Sequence, residues 1–292
     1  MKKIAILIIC LAIIHTIQAQ SKKDIKANKI KSITVWQADA VNSKAEGYKD
    51  SYEEFDNEGR SILSIDYRKD GTIQKKETTT YDKSGKKTEE NEFDAKDNKN
   101  VKRVYQYNSF DKKSGCLEYD ANGILLKKSV FTTDLDGNNI TETVSDAAGN
   151  LNKKIVEEFD KKGKKISKTE TNKNGELKHK ETTKYDSFGN KTEETVYDKK
   201  DNINIKRVNK FNAYNDKTEE SELDASGTLI KKTVYTYNAD GEKTTEMVYD
   251  GQNKLLKKIT YTYNSKKMKE SKQTYNGAGT LESGKRYIYE YF

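Results

Sequence analysis

Tyrosine is the residue type that recurs here at a spacing able to do chemistry: there are 19 in 292 residues. Four Tyr-x-Tyr pairs stand out: Tyr105/Tyr107, Tyr235/Tyr237, Tyr261/Tyr263 and Tyr287/Tyr289. On an extended strand side chains alternate faces, so each pair puts two rings on one face. Such pairs on neighbouring strands make a platform for sugar rings or an apolar partner, with Lys and Asp at its rim. The same rings also serve to cover a sheet, since cross-strand aromatic pairs contribute roughly 0.2–1 kcal/mol each.

Other chemistry is hard to assemble. Met1 to Ala19 reads as a leader: Lys2 and Lys3, an apolar run from Ile4 to Ile14, then Gln18-Ala19-Gln20 with cleavage after Ala19. The run is too short to span a bilayer, and Cys10 lies inside it, where a lipobox cysteine does not belong. Loss of the leader removes Cys10 and His15, leaving Cys116 and His179. An intramolecular disulfide is then impossible. His179 occupies a position held by Lys127, Lys153, Lys231 and Lys257 in sister segments, and Cys116 one held by Glu194 and Glu220. Both read as substituted surface residues, the cysteine as an inert thiol. The paired carboxylates Glu89-Glu90, Glu193-Glu194 and Glu219-Glu220 recur beside Lys and read as cross-strand charge pairs rather than general acids. Asp134-Leu135-Asp136-Gly137-Asn138 looks like part of a calcium loop but lacks the later bidentate Glu. No catalytic residue, metal site or cofactor is expected.

The elements that position the tyrosines follow from a repeat. Aromatic anchors stand before Asp or Asn from Phe55 to Tyr289, and a step of twelve alternates with a step of fourteen throughout. Two steps make one period of twenty-six, in nine copies from Phe55 to Ile288. Fifteen of 19 anchors are Tyr or Phe; Thr133, Ser145, Thr171 and Leu223 are the exceptions. Asp or Asn follows the anchor in 17 of 18 turns, Arg68 excepted. Three residues further on stands Gly in 12 turns, Asp97, Asp111, Asp201, Asn215 or Asn253 in five, and Lys267 in one. This is the chemistry of a type I turn followed by a left-handed residue, which closes a hairpin.

Between turns lie Thr, Val, Ile and Tyr among Lys and Glu, a strand composition. The absence of proline suits a chain of paired strands. The fold class is all-β, a long twisted antiparallel meander of about 20 strands, open or closing into a spiral. Because both steps are even, the anchors are expected on one face. A stripe at Ile73, Leu125, Leu151, Leu177, Ile203, Leu229, Leu255 and Leu281 is expected to join them in buried ladders. Residues 20–54 read as an N-terminal capping segment, with Ile30 to Gln37 as its strand, and residues 55–292 as the repeats ending in the strand Tyr287 to Phe292. That leaves no room for a separate catalytic or toxin domain. A block from Tyr81 to Gly137 recurs four periods later at Tyr185 to Gly241, as after duplication of four repeats.

The pattern Tyr-x-Tyr-Asp/Asn-x-x-Gly, as in YTYNADG at 235–241 and more loosely TTKYDSFG at 182–189, resembles the YD repeats of the RHS family. The resemblance covers Phe55 to Tyr289. It implies spiralling antiparallel sheets and a cell-surface or carbohydrate-binding role. The Pro-containing motif that ends the RHS core is missing, and with it the case for enclosing a toxin. The expected function is an exported, non-enzymatic binding module for polysaccharide or a cell-surface protein, in periplasm, on the outer surface or in the medium. A structural or adhesive spacer is the alternative. Removing Lys2 and Lys3 leaves 53 basic against 47 acidic residues, a bias too mild to indicate nucleic acid. Binding would select copies that depart from consensus together, and Thr133, Ser145 and Thr171 do so in the middle of the array.

Overall fold

A computed structural model describes residues 21–39, 47–96 and 98–292. The leader and Asp97 lie outside the described residues. One short helix, α1 (Lys22–Ala27), precedes twenty strands, from β1 (Ile30–Asp39) and β2 (Tyr48–Phe55) to β20 (Leu281–Tyr291). Each strand pairs antiparallel with the next, and β1 also pairs with β20. The meander is therefore a closed barrel. Ile33 stands opposite Tyr289 and Val35 opposite Tyr287, so the segment Ile30 to Gln37 lies between the first repeat and the last. Closure removes both sheet edges, which would otherwise present unpaired backbone groups.

The densest apolar packing sits at this seam. Ile25 of α1, Ile30, Ile33, Val35, Phe55 and Met268 are buried together, with Tyr287 and Tyr289 against them. Elsewhere the wall is one layer thick and rests on its ladder and turns. In the turn at Asn238, the side-chain Oδ1 accepts from the backbone N–H of Asp240 and of Glu242 at 3.1 and 2.9 Å. Gly241 follows at φ +77° and donates its N–H to the Asn238 carbonyl. Where glycine is replaced, Asp111, Asn215, Asn253 and Lys267 take the same left-handed conformation. At Asp198 the turn is one residue longer, and the positive φ falls on Asn202 instead of Asp201.

The anchors do not share one face. Pairing slips by one residue beside the anchors, Thr133 and Tyr197 excepted: Thr236 opposes Thr245, but Tyr237 opposes Lys243. The extra residue is a β-bulge, and it inverts the face parity of the next strand. Anchors ending the long strands (Tyr81, Tyr107, Tyr237, Tyr263) consequently face one way, and those ending the short strands (Phe93, Tyr119, Tyr249, Tyr275) the other. Thr133 lies on the first face, whereas Ser145 and Thr171 lie on the second, opposite Lys128 and Lys154. The three departures thus form no common groove.

The face bearing the Tyr-x-Tyr pairs is the crowded one. Val144, Val196, Ile203, Thr233 and Ile259 are buried there, while Leu126, Val130, Ile230, Leu256 and Ile288 of the other face are exposed. Side chains converge on the concave side of a closed sheet, so the tyrosine pairs face inward. The expected aliphatic ladder forms only in part. Ile203 is buried, but Leu151 and Leu177 are exposed, because these residues begin long strands at a rim where nothing packs over them.

Candidate functional site: a lysine–tyrosine ladder on the inner wall

Six successive strands build the site: β15 (Lys217–Asp224), β16 (Leu229–Tyr237), β17 (Lys243–Asp250), β18 (Leu255–Tyr263), β19 (Lys269–Asn276) and β20. Tyr235, Tyr261 and Tyr287 occupy one register on alternate strands. The intervening short strands insert lysines between these rings. The Lys243 ammonium lies 5.3 Å from the Tyr235 ring centre and 5.2 Å from that of Tyr261. Lys269 lies 5.2 Å from Tyr261 and 5.7 Å from Tyr287, and Lys217 lies 5.1 Å from Tyr235. The result is an alternating ladder from Lys217 to Tyr287. Each contact is worth about 0.5–1 kcal/mol where water still reaches it.

The second tyrosine of each pair has a different task. Tyr237, Tyr263 and Tyr289 donate their hydroxyls to the backbone carbonyls of Lys217, Lys243 and Lys269, at 2.7, 2.8 and 2.6 Å. These carbonyls begin the short strands, beside the bulges. Tyr107 does the same to Lys87 at 2.8 Å. The hydroxyls therefore staple the rim.

Like charges crowd this sector. Glu246 pairs with Lys243 and accepts from the Tyr261 hydroxyl at 2.9 Å. Burial pushes the Lys269 ammonium down to about 8, with Lys243 and Lys272 adding repulsion and Glu246 opposing it. Lys272 is also lowered, by burial and then by Lys285. Burial drives Tyr263 and Tyr287 up to about 12, and Tyr235 and Tyr261 higher still. At the rim α1 overhangs this wall and leaves a cleft of about 820 Å³. Tyr237 and Tyr263 line it with Lys22, Lys243, Lys266, Lys267 and Lys269, against Asp24 and Glu242. A basic cleft with two tyrosines can seat an anionic ligand that also offers an apolar face.

Tyr105 and Tyr107 share the inner face but stand apart, on β6 (Lys99–Tyr107), where a shorter ladder runs Lys87, Tyr105, Lys113, Phe131. There the charges close on themselves. Arg103 bonds Glu90 at 2.9 Å and Glu118 at 3.0 Å, and Arg207 repeats this with Glu194 and Glu222 at 2.9 and 3.2 Å. Cys116 stands opposite Tyr105, its thiol pushed up by burial. His179 is pinned between Asp198 and Glu181, both at 2.8 Å, much as its sister Lys127 holds Glu118. The oxygens of Asp134 accept from the backbone and side chain of Asn139, a turn role. Sequence reasoning missed the ladder lysines; their signal was the recurrence of Lys at 217, 243 and 269, one period apart.

No family profile and no curated protein sequence matches the chain. Among solved structures, it is similar to the TcdB2-TccC3 assembly at 13% identity and a TM-score of 0.29, over 81% of this chain and 15% of that one. The Photorhabdus luminescens Tc holotoxin pore gives 11% identity and 0.29, over 81% and 16%. A porin-like protein from Bacteroides uniformis gives 12% identity and 0.35, over 89% and 98%. The chain thus spans about one sixth of the toxin chains it matches, and likenesses this distant carry no functional argument.

Proposed function

We propose that this is an exported, non-enzymatic member of the YD-repeat group that binds acidic polysaccharide in the cleft beneath α1. The observation that supports the reading is the lining of that cleft, where Lys22, Lys243, Lys266, Lys267 and Lys269 surround Tyr237 and Tyr263. Tyr237 and Tyr263 supply the ring faces, and the lysines the affinity for carboxylates. A spacer is favoured by extent, which a sheet whose first and last strands pair does not have.

The outer wall suits water. Lys76, Lys102, Lys128, Lys154, Lys180, Lys206, Lys232 and Lys258 recur once per repeat on the face opposite the tyrosine pairs, each paired with a short-strand anchor. Lysine on a lipid-facing barrel wall costs roughly 2–4 kcal/mol at the bilayer midplane. Among the described residues, no helix is long and apolar enough to cross a membrane.

The test is an array of neutral and acidic polysaccharides probed with the chain from Gln20 and with a Tyr237→Ala/Tyr263→Ala variant of unchanged circular dichroism. Saturable binding confined to acidic polymers and lost in the variant is expected. A blank array with folded protein would overturn the reading.

A further inference from the structure

The two rims of the barrel differ. Turns that follow long strands share one rim, and turns that follow short strands the other. The first rim carries Phe110, Leu135, Phe188 and Tyr214 at its turn tips; Phe110 is 81% exposed, Phe188 80%, Tyr214 86% and Leu135 wholly. The corresponding tips of the second rim are Ala, Gly, Ser, Asn, Gln, Asp and Lys. A type I turn accepts most residues at its two central positions, so folding does not call for an aromatic there. Sister turns on the same rim make this plain, holding Ser84 and Lys162 instead.

The four tips ride on the turns after the sixth, eighth, twelfth and fourteenth strands, an arc of the rim with Lys161 and Lys162 at its middle. Neighbouring turns on one rim are two strands apart, roughly 10 Å. Tips so spaced, on one rim and each exposed, make no single patch that one protein pocket could fill. A plane satisfies them all together. We propose that this rim docks on an acidic lipid bilayer. Phe110, Leu135, Phe188 and Tyr214 enter the interfacial zone, Lys161 and Lys162 meet acidic headgroups, and the lysine-studded wall stays in water. Apolar insertion combined with basic residues is the two-part signal that holds a peripheral protein to a membrane.

The experiment is co-sedimentation with phosphatidylcholine vesicles containing phosphatidylglycerol, using the full chain from Gln20 and a Phe110→Ser/Leu135→Ser/Phe188→Ser/Tyr214→Ser variant. Phe188→Trp in the otherwise unchanged chain reports the tip by fluorescence, read against the parent, whose sole tryptophan is Trp36. The expected result is a blue shift of emission on vesicles that the parent does not show. The serine variant is expected to lose about tenfold or more in partitioning at unchanged thermal melting. Failure of the parent chain to sediment, or equal sedimentation of the variant, overturns the proposal. So does a concentration-dependent oligomer that the serine substitutions abolish, which would assign the tips to a second copy. The polysaccharide array reads a different sector of the rim, so the two proposals fail separately.

Discussion

The side-chain amide of Asn209 donates to the backbone carbonyl of Lys191 at 2.8 Å, where other long strands use a tyrosine hydroxyl. Tyr107, Tyr185, Tyr237, Tyr263 and Tyr289 each reach the carbonyl 20 residues earlier. The anchor of this strand is Phe211, which has no hydroxyl to give, and Asn209 occupies the place of the first tyrosine of a pair. The substitution shows what the anchor tyrosines do: they satisfy the acceptor beside the bulge.

Tyr263→Phe should therefore lower stability by about 1 kcal/mol, the net worth of one hydrogen bond. Asn209→Ala should cost as much, and Asn209→Ala/Phe211→Tyr should recover it. Urea midpoints at unchanged slope measure this; no recovery in the double variant would refute the shared role.

His179 should make stability depend on pH. Burial opposes its charge, but the bonds to Glu181 and Asp198 outweigh burial and raise its pKa above 6.5. The folded chain then holds this proton more tightly than the unfolded chain. The stabilisation is full below the unfolded value and is lost as pH rises through the higher folded one. Urea midpoints should fall as pH rises above the ordinary histidine value of 6.5, and His179→Lys, the residue of sister copies, should flatten that decline.

Lys269 works in the opposite sense. Its folded value of about 8 lies below the usual 10.5, so the folded chain binds this proton less tightly. The cost of the charged form is present below about 8 and is relieved as pH rises from 8 to 10.5. A bound polyanion favours the protonated form. Affinity for acidic polysaccharide should weaken as pH rises through about 8, and Lys269→Gln should remove that dependence. Titrations on either side of this pH decide it.

The period, the strands and the turns were legible because each rests on local chemistry: Asp or Asn to open a turn, Gly or Asn to leave it. The face of each anchor was not. Even spacings place Tyr237 and Tyr249 together, yet the bulged residue between the partners of Thr236 and Tyr237 inverts the count. Nothing local in Ile30 to Gln37 announces that it pairs with Tyr287 and Tyr289, at the far end of the chain. The tyrosine pairs were legible as residues but not as a ladder, since their partners Lys243 and Lys269 lie on other strands. His179 was legible as a lysine substitute, and its two carboxylate partners were not.

The seam gives a further prediction. Ile33→Ala removes a fully buried side chain and should cost about 2–4 kcal/mol. Val35→Asp places a charge in the same cluster and should open the barrel, exposing two edges that associate. Size-exclusion chromatography should show monomer for the parent chain and concentration-dependent oligomers for Val35→Asp. An unchanged monomer would contradict closure through β1.

The most direct measurement of the central claim is calorimetric titration of the chain from Gln20 with a polyuronate and with its carboxyl-reduced, neutral counterpart, for the parent and for Lys243→Gln/Lys269→Gln. Saturable binding to the acidic polymer is expected, weakened by salt, absent with the neutral one and lost in the double variant. Equal binding of both polymers, or binding that the variant keeps, would contradict it.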